Sequence, residues 1–126
     1  NPLGCAAALA TLDIFEEDDV IGRNRDLARR MHAAVADLAD HPHVHEIRQH
    51  GMTLAMEMVK DKGRREEYPW QERRGLHVYR HGLKNEVLLR PLGNVVYFMP
   101  PYVIEDEHIE RMARVAREGI ELATAD

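Results

Sequence analysis

Apolar residues recur along this chain with two different periods, and the points where the period changes divide it into elements. From Pro2 to about Glu17 the run LGCAAALATLDIFEE combines strong helix formers with apolar positions on two sides. Leu9, Leu12 and Phe15 share one side; Ala7, Ala10 and Ile14 share another. A helix of this kind is expected to pack on both. Asn1 can cap its first turn, and Pro2 stands where a helix spares an N–H. A second helix is predicted from about Arg23 to Asp40, because Leu27, Met31, Ala34 and Leu38 form one apolar face with charges opposite. Pro42 ends it by disfavouring helical geometry at His41.

The period then shortens to two. Strands are predicted at about Val44–Gln49 and Thr53–Val59, joined through His50, Gly51 and Met52 as a hairpin. In the second, Leu54, Met56 and Met58 alternate with Thr53, Ala55 and Glu57, the pattern of a sheet with one covered face. The polar stretch from Lys60 to Pro69 reads as a loop, and a short helix follows from about Gln71 to Lys84. Val87–Arg90 reads as a strand, residues 91–94 as a turn, and Val95–Met99 as a last strand stopped by Pro100 and Pro101. The closing helix, about Asp106–Ala123, sets Ile109, Met112, Ala116 and Ile120 on one face, with Glu105 or Asp106 near its positive end. The predicted order is ααββαββα. This is an α+β fold in which three or four mostly antiparallel strands pack against helices, in one domain over residues 1–126.

Composition narrows the function classes. At 126 residues and 44% hydrophobic, the chain can bury one core. The net charge of −5 is spread without a basic stripe, which argues against a nucleic-acid partner. No apolar run reaches the roughly 20 residues of a membrane-spanning helix, so a soluble, unexported protein without a membrane partner is expected. The single Cys5 cannot make an internal disulfide, which suits a reducing compartment. Because the chain opens without Met at a helix start, it is expected to be a fragment.

Eight histidines raise the question of a metal. His41, His43 and His45 alternate, and His77 and His81 lie one turn apart, but neither group has a cysteine or carboxylate at motif spacing. Solvent-facing histidines are the expected outcome, with no metal site. Cys5 sits among alanines as a small packed residue rather than a nucleophile. The stretch LLRPLGNVVYFMPPYVI differs, since Arg90 ends a buried-looking strand, where an unpaired guanidinium is costly. Its planar fork suits a carboxylate. Local chemistry leaves two readings open, a bound carboxylate ligand or an internal Asp or Glu.

Three segments carry a resemblance to a known family. LRPLGNVVYFMPPYVI, with its Arg-Pro turn and its Tyr, Met, Pro, Pro and Tyr, resembles the closing motif of the class III, fold-type I aminotransferases that use pyridoxal phosphate. NPLGCAAALATLDIFEE is similar to the helix leading from their large cofactor domain into the small domain, and HVHEIRQHGMTLAMEMV to their small-domain hairpin. The resemblance runs over essentially the whole chain and implies the C-terminal small domain of such an enzyme, with the large domain absent. It implies that Arg90 holds the substrate carboxylate and that Tyr97 lines the pocket beside it. The Schiff-base lysine and the other cofactor contacts would lie in the large domain, and none of Lys60, Lys62 and Lys84 matches a cofactor motif. The stretch is therefore expected to hold no catalytic or cofactor-binding residue and to be inactive alone.

Within the family, Tyr97 and the wording YFMPPY resemble the members that pass an amino group from S-adenosylmethionine to 8-amino-7-oxononanoate, giving 7,8-diaminononanoate for biotin. Such an enzyme would be a cytoplasmic homodimer. Two other readings remain: another class III enzyme acting on ω-amino acids or diamines, and a free-standing α+β module that binds a carboxylate.

Overall fold

The computed structural model describes residues 1–125 of the chain. Helix α1, Pro2–Glu17, begins where Asn1 accepts the Leu3 N–H at 3.1 Å. Helix α2, Val20–Ala34, starts three residues before the expected point, because the Asp19 side chain accepts the Gly22 N–H at 3.2 Å and nucleates the turn there. The α-helical ladder stops at Ala34, and Ala36–Asp40 continue as a tighter 3-10 turn. One expected helix is thus two pieces.

Strands β1 (Val44–His50) and β2 (Thr53–Met58) form the expected hairpin, with Gly51 at φ +54° in its turn. A 3-10 turn at Trp70–Glu72 precedes helix α3, Arg74–Lys84, so the third helix, unlike the second, starts later than its sequence suggests. Strands β3 (Arg90–Leu92) and β4 (Val95–Phe98) pair across Gly93, at φ +60°, and Asn94. Helix α4, Asp106–Thr124, closes the chain, with Asp106 and Glu107 in its first turn. The expected strand at Val87–Arg90 and turn at 91–94 are corrected by this arrangement. Val87 donates its N–H back to Gly82 O at 2.9 Å, so it closes the ending of α3, and sheet pairing begins only at Arg90. Pro91 then pairs with Val96 on an edge strand, the one place in a sheet where a missing N–H costs little.

All pairings are antiparallel, in the spatial order β1-β2-β4-β3. The expected α+β class and element order hold. The alternation read in β2 also holds, with Leu54, Met56 and Met58 fully buried and Thr53, Ala55 and Glu57 on the other face. Val96 and Phe98 of β4 extend the buried face, which packs with Met31 of α2, Val78 of α3 and Ile109, Ala116 and Ile120 of α4. Each large aliphatic side chain removed from water there stabilises the fold by about 1.5–3 kcal/mol.

Helix α1 departs from its expectation. It has no buried residue, and Leu3, Leu9, Leu12 and Ile14 are all more than half exposed. Its apolar sides are not packed within this chain; Phe15 meets Tyr102 edge-on, with ring centroids 6.2 Å apart. Among the described residues, no helix is long and apolar enough to cross a membrane.

Candidate functional site

The helices cover one face of the sheet, leaving the other open, and strand register decides which side chains line up on it. Arg48 of β1 pairs with Ala55 of β2, Ala55 with Tyr97 of β4, and Tyr97 with Arg90 of β3. Directly paired residues project to the same face. A single row across the open face therefore runs Arg48, Ala55, Tyr97, Arg90.

At one end of the row, Arg48 pairs with both Glu46 and Glu57. The hydrogen bond from Arg48 holds the Glu46 carboxyl below its usual range, and the bonds to Glu46 and Glu57 raise the Arg48 guanidinium above its own. At the other end, the Arg90 guanidinium carbon lies 5.8 Å from the Tyr97 ring centroid, within cation–π range. Arg90 makes no hydrogen bond or ion pair with any described residue. The two arginines on one face thus differ in kind: Arg48 is neutralised inside the fold and Arg90 is not.

Arg90 is exposed rather than buried. The premise that an unpaired guanidinium would be costly at this strand end is corrected, because the strand lies at the sheet edge and the side chain projects away from the core. An exposed, unpaired guanidinium remains available to a ligand. It also borders a cavity of about 500 Å³, lined mainly by apolar groups including Val87, Leu88, Met99, Pro101 and Met112. Leu88 and Met99 are themselves more than half exposed. Tyr97 flanks Arg90 on the sheet and is not part of that lining.

Against the expectation of solvent-facing histidines, His41, His43 and His81 are drawn into structural contacts, whereas His32, His50, His77 and His108 are exposed. His41 accepts the His43 N–H at Nδ1 (3.1 Å) and lies 3.4 Å from Glu121 through Nε2. Nδ1 of His43 lies 3.1 Å from Lys60 O and 3.2 Å from Val59 O. His81 turns towards Glu118, at 3.1 Å, while His77 is exposed, so the pair spaced one turn apart does not converge. The hydrogen bond from His81, followed by that from Arg114, holds the Glu118 carboxyl below its usual range. Ligand atoms of Glu105, Glu107 and His108 come within 4.8 Å of one another at the exposed start of α4. Carboxylates there complement the helix dipole. Cys5 is exposed on α1, contrary to its expectation as a packed residue.

The three lysines sit in polar or surface positions. Lys60 pairs with Glu66 at 3.2 Å, Lys62 donates to Ala39 O, and Lys84 ends α3 on the surface. None of the three lines the cavity beside Arg90.

The family description "Aminotransferase class-III" matches residues 1–118. A protein of Geobacter sulfurreducens named adenosylmethionine-8-amino-7-oxononanoate aminotransferase is 38% identical over 124 residues, covering 98% of this chain and 27% of that protein. The crystal structure of the enzyme of that name from Methanocaldococcus jannaschii superposes with a TM-score of 0.91 at 34% identity, over 99% of this chain and 28% of the other. The PMP-bound form of an aminotransferase from Vibrio fluvialis superposes with a TM-score of 0.92 at 25% identity, over 99% of this chain and 28% of the other. This chain therefore spans little more than a quarter of the length of these relatives.

Proposed function

The chain belongs to the class-III aminotransferases, and from that premise we propose that it is the small, substrate-holding domain of an enzyme that transfers the amino group of S-adenosylmethionine to 8-amino-7-oxononanoate. The product, 7,8-diaminononanoate, serves biotin synthesis. We assign the enzyme to the cytoplasm, as a homodimer. Pyridoxal phosphate, the cofactor of the family, takes up and hands on the amino group; the residues that hold it lie outside this domain, and the domain is inactive alone.

The observation that carries the proposal is the state of Arg90, a guanidinium on the open sheet face beside a mostly apolar cavity, with no anionic partner among the described residues. Its fork offers two parallel N–H donors to a carboxylate. The cation–π contact with Tyr97 restrains its swing at little cost in exposure. Tyr97, paired with Arg90 across β3 and β4, would flank the bound carboxylate from the sheet side rather than from the cavity. Both proposed substrates bear a carboxylate and use one pocket in turn, so Arg90 would orient each of them, and orientation lowers the entropic part of the barrier. The apolar wall formed by Leu88, Met99 and Pro101 would exclude water from the substrate chain next to it. An internal salt bridge, the competing role for Arg90, has no carboxylate to pair with among the described residues.

The test is single-turnover titration of each half-reaction in the complete enzyme, comparing Arg90→Ala and Arg90→Lys with the parent. Arg90→Lys keeps the charge and loses the fork, and should weaken both substrates roughly tenfold to a hundredfold. Arg90→Ala should weaken both further, with the melting temperature nearly unchanged because Arg90 bonds to nothing in the fold. Undiminished affinity for both substrates in Arg90→Ala would refute the assignment.

A further inference from the structure

Between α3 and the strand that carries Arg90, the chain makes a turn whose conformation and residue type disagree. The Glu86 N–H donates to Leu83 O at 3.2 Å and the Val87 N–H to Gly82 O at 2.9 Å, with Glu86 at φ +60°. These two bonds define the helix ending that ordinarily places glycine at the left-handed position, where a side chain crowds the backbone. Here the position holds glutamate. The turn is also tight, since a Cβ added at Gly82 would stand 2.6 Å from Val87 O.

One side chain from another helix holds this ending together. Arg111 of α4 donates from Nη2 to Asn85 O at 2.8 Å and to the Glu86 carboxylate at 2.7 Å. It thereby grips the residue in the unfavourable conformation and the carbonyl immediately before it, one of those a helix end leaves without an internal partner. The ion pair alone would count for little, because Glu86 is 83% exposed. The carbonyl bond is the part that fixes backbone. Three residues after Val87 the chain delivers Arg90 into register with Tyr97, and Arg111 and Arg90 border the same cavity.

We infer that Arg111 is a positioning residue for the carboxylate site: it holds the left-handed ending of α3 at Asn85 and Glu86 and so sets the direction in which β3 presents Arg90. The inference rests on the reading of Arg90 as the carboxylate holder. Arg111 acts through backbone geometry, because its charge is already balanced by Glu86. It is not a catalytic residue.

A glycine substitution separates geometry from charge. In the complete enzyme, Arg111→Ala should raise KM for both S-adenosylmethionine and 8-amino-7-oxononanoate by roughly three- to tenfold, with a smaller effect on kcat. Hydrogen exchange of the amides in residues 86–92, followed by mass spectrometry, should accelerate. Glu86→Gly removes the crowding at φ +60°, so the double variant Arg111→Ala with Glu86→Gly should recover both the exchange protection and the KM. Glu86→Gly alone should leave both near the parent values. A KM that stays high in the double variant while protection returns would overturn the inference, because Arg111 would then be acting through its charge. Unchanged exchange and KM in Arg111→Ala would overturn it as well. Failure of the Arg90 reading shows up separately: Arg90→Ala would leave KM unchanged, and that result would overturn the substrate consequence drawn here even if exchange in Arg111→Ala accelerates.

Discussion

Replacing Arg117 tests how the last helix is fastened to the rest of the domain. Its Nε reaches Asp37 Oδ2 at 2.6 Å and its Nη2 reaches Asp37 Oδ1 at 2.8 Å, while the same Nη2 donates to Ala34 O at 2.9 Å. One guanidinium thus binds a carboxylate with two bonds and satisfies a carbonyl at the end of α2. The side chains are 36% and 58% exposed, so the ion pair itself is worth only about 0.2–1 kcal/mol. The charge-assisted bond to the helix-end carbonyl adds about 1 kcal/mol. Arg117→Ala should therefore cost about 1–2 kcal/mol, which for a domain of this size lowers the melting temperature by roughly 3–10 °C. Asp37→Asn, which spares the carbonyl bond, should cost less than half as much.

The pH dependence has a definite sign. The hydrogen bond from Arg117, reinforced by its charge and opposed by burial, holds the Asp37 carboxyl below its usual range in the folded state. A depressed carboxyl stabilises the fold fully above the unfolded pKa of about 3.9, and the contribution disappears as pH falls through the lower folded value. The difference in melting temperature between the parent and Asp37→Asn should be constant from about pH 8 to pH 5 and should close below about pH 4. Circular-dichroism melts across that range provide the measurement. An Arg117→Ala variant melting within a degree of the parent, or an Asp37→Asn gap that widens in acid, would refute the reasoning.

Two further outcomes are expected of the 126-residue chain. Incubated with pyridoxal phosphate and reduced with borohydride, it should yield no stoichiometric adduct on Lys60, Lys62 or Lys84; peptide mapping that finds one such lysine fully modified would contradict the chemistry assigned to them. The exposed Leu3, Leu9, Leu12 and Ile14 of α1 should drive self-association, and Leu9→Glu with Leu12→Glu should abolish it in sedimentation velocity. A parent chain that stays monomeric as concentration rises would count against that.

Much of this molecule is legible along the chain, because short-range geometry encodes it. The alternation of Leu54, Met56 and Met58 identifies both the strand and its buried face, since successive strand residues point to opposite sides. The spacing of Ile109, Ala116 and Ile120 does the same for α4. Arg90 stands out because an arginine before a proline turn among apolar residues is chemically unusual, and the segments around it resemble a family to which the chain belongs.

Local pattern could not determine which groups meet. Val87 reads as strand because it is β-branched and flanked by apolar residues, yet its N–H returns to Gly82 and moves the start of β3 to Arg90. Whether Arg90 pairs with an internal carboxylate was open in the sequence. It is decided by strand order, which seats β3 at the edge opposite β1, away from Glu46 and Glu57, while Glu86 at the same cavity pairs with Arg111. The hold of Arg111 on Glu86 joins residues 25 apart, and that of Arg117 on Asp37 residues 80 apart. Such contacts leave no periodic trace, because they depend on how α4 docks across the ends of α2 and α3. The sequence alone determined the periods of the elements and the residue types available; docking determined their partners, since a side chain's surroundings are set by whatever the packed core brings within a few ångströms of it.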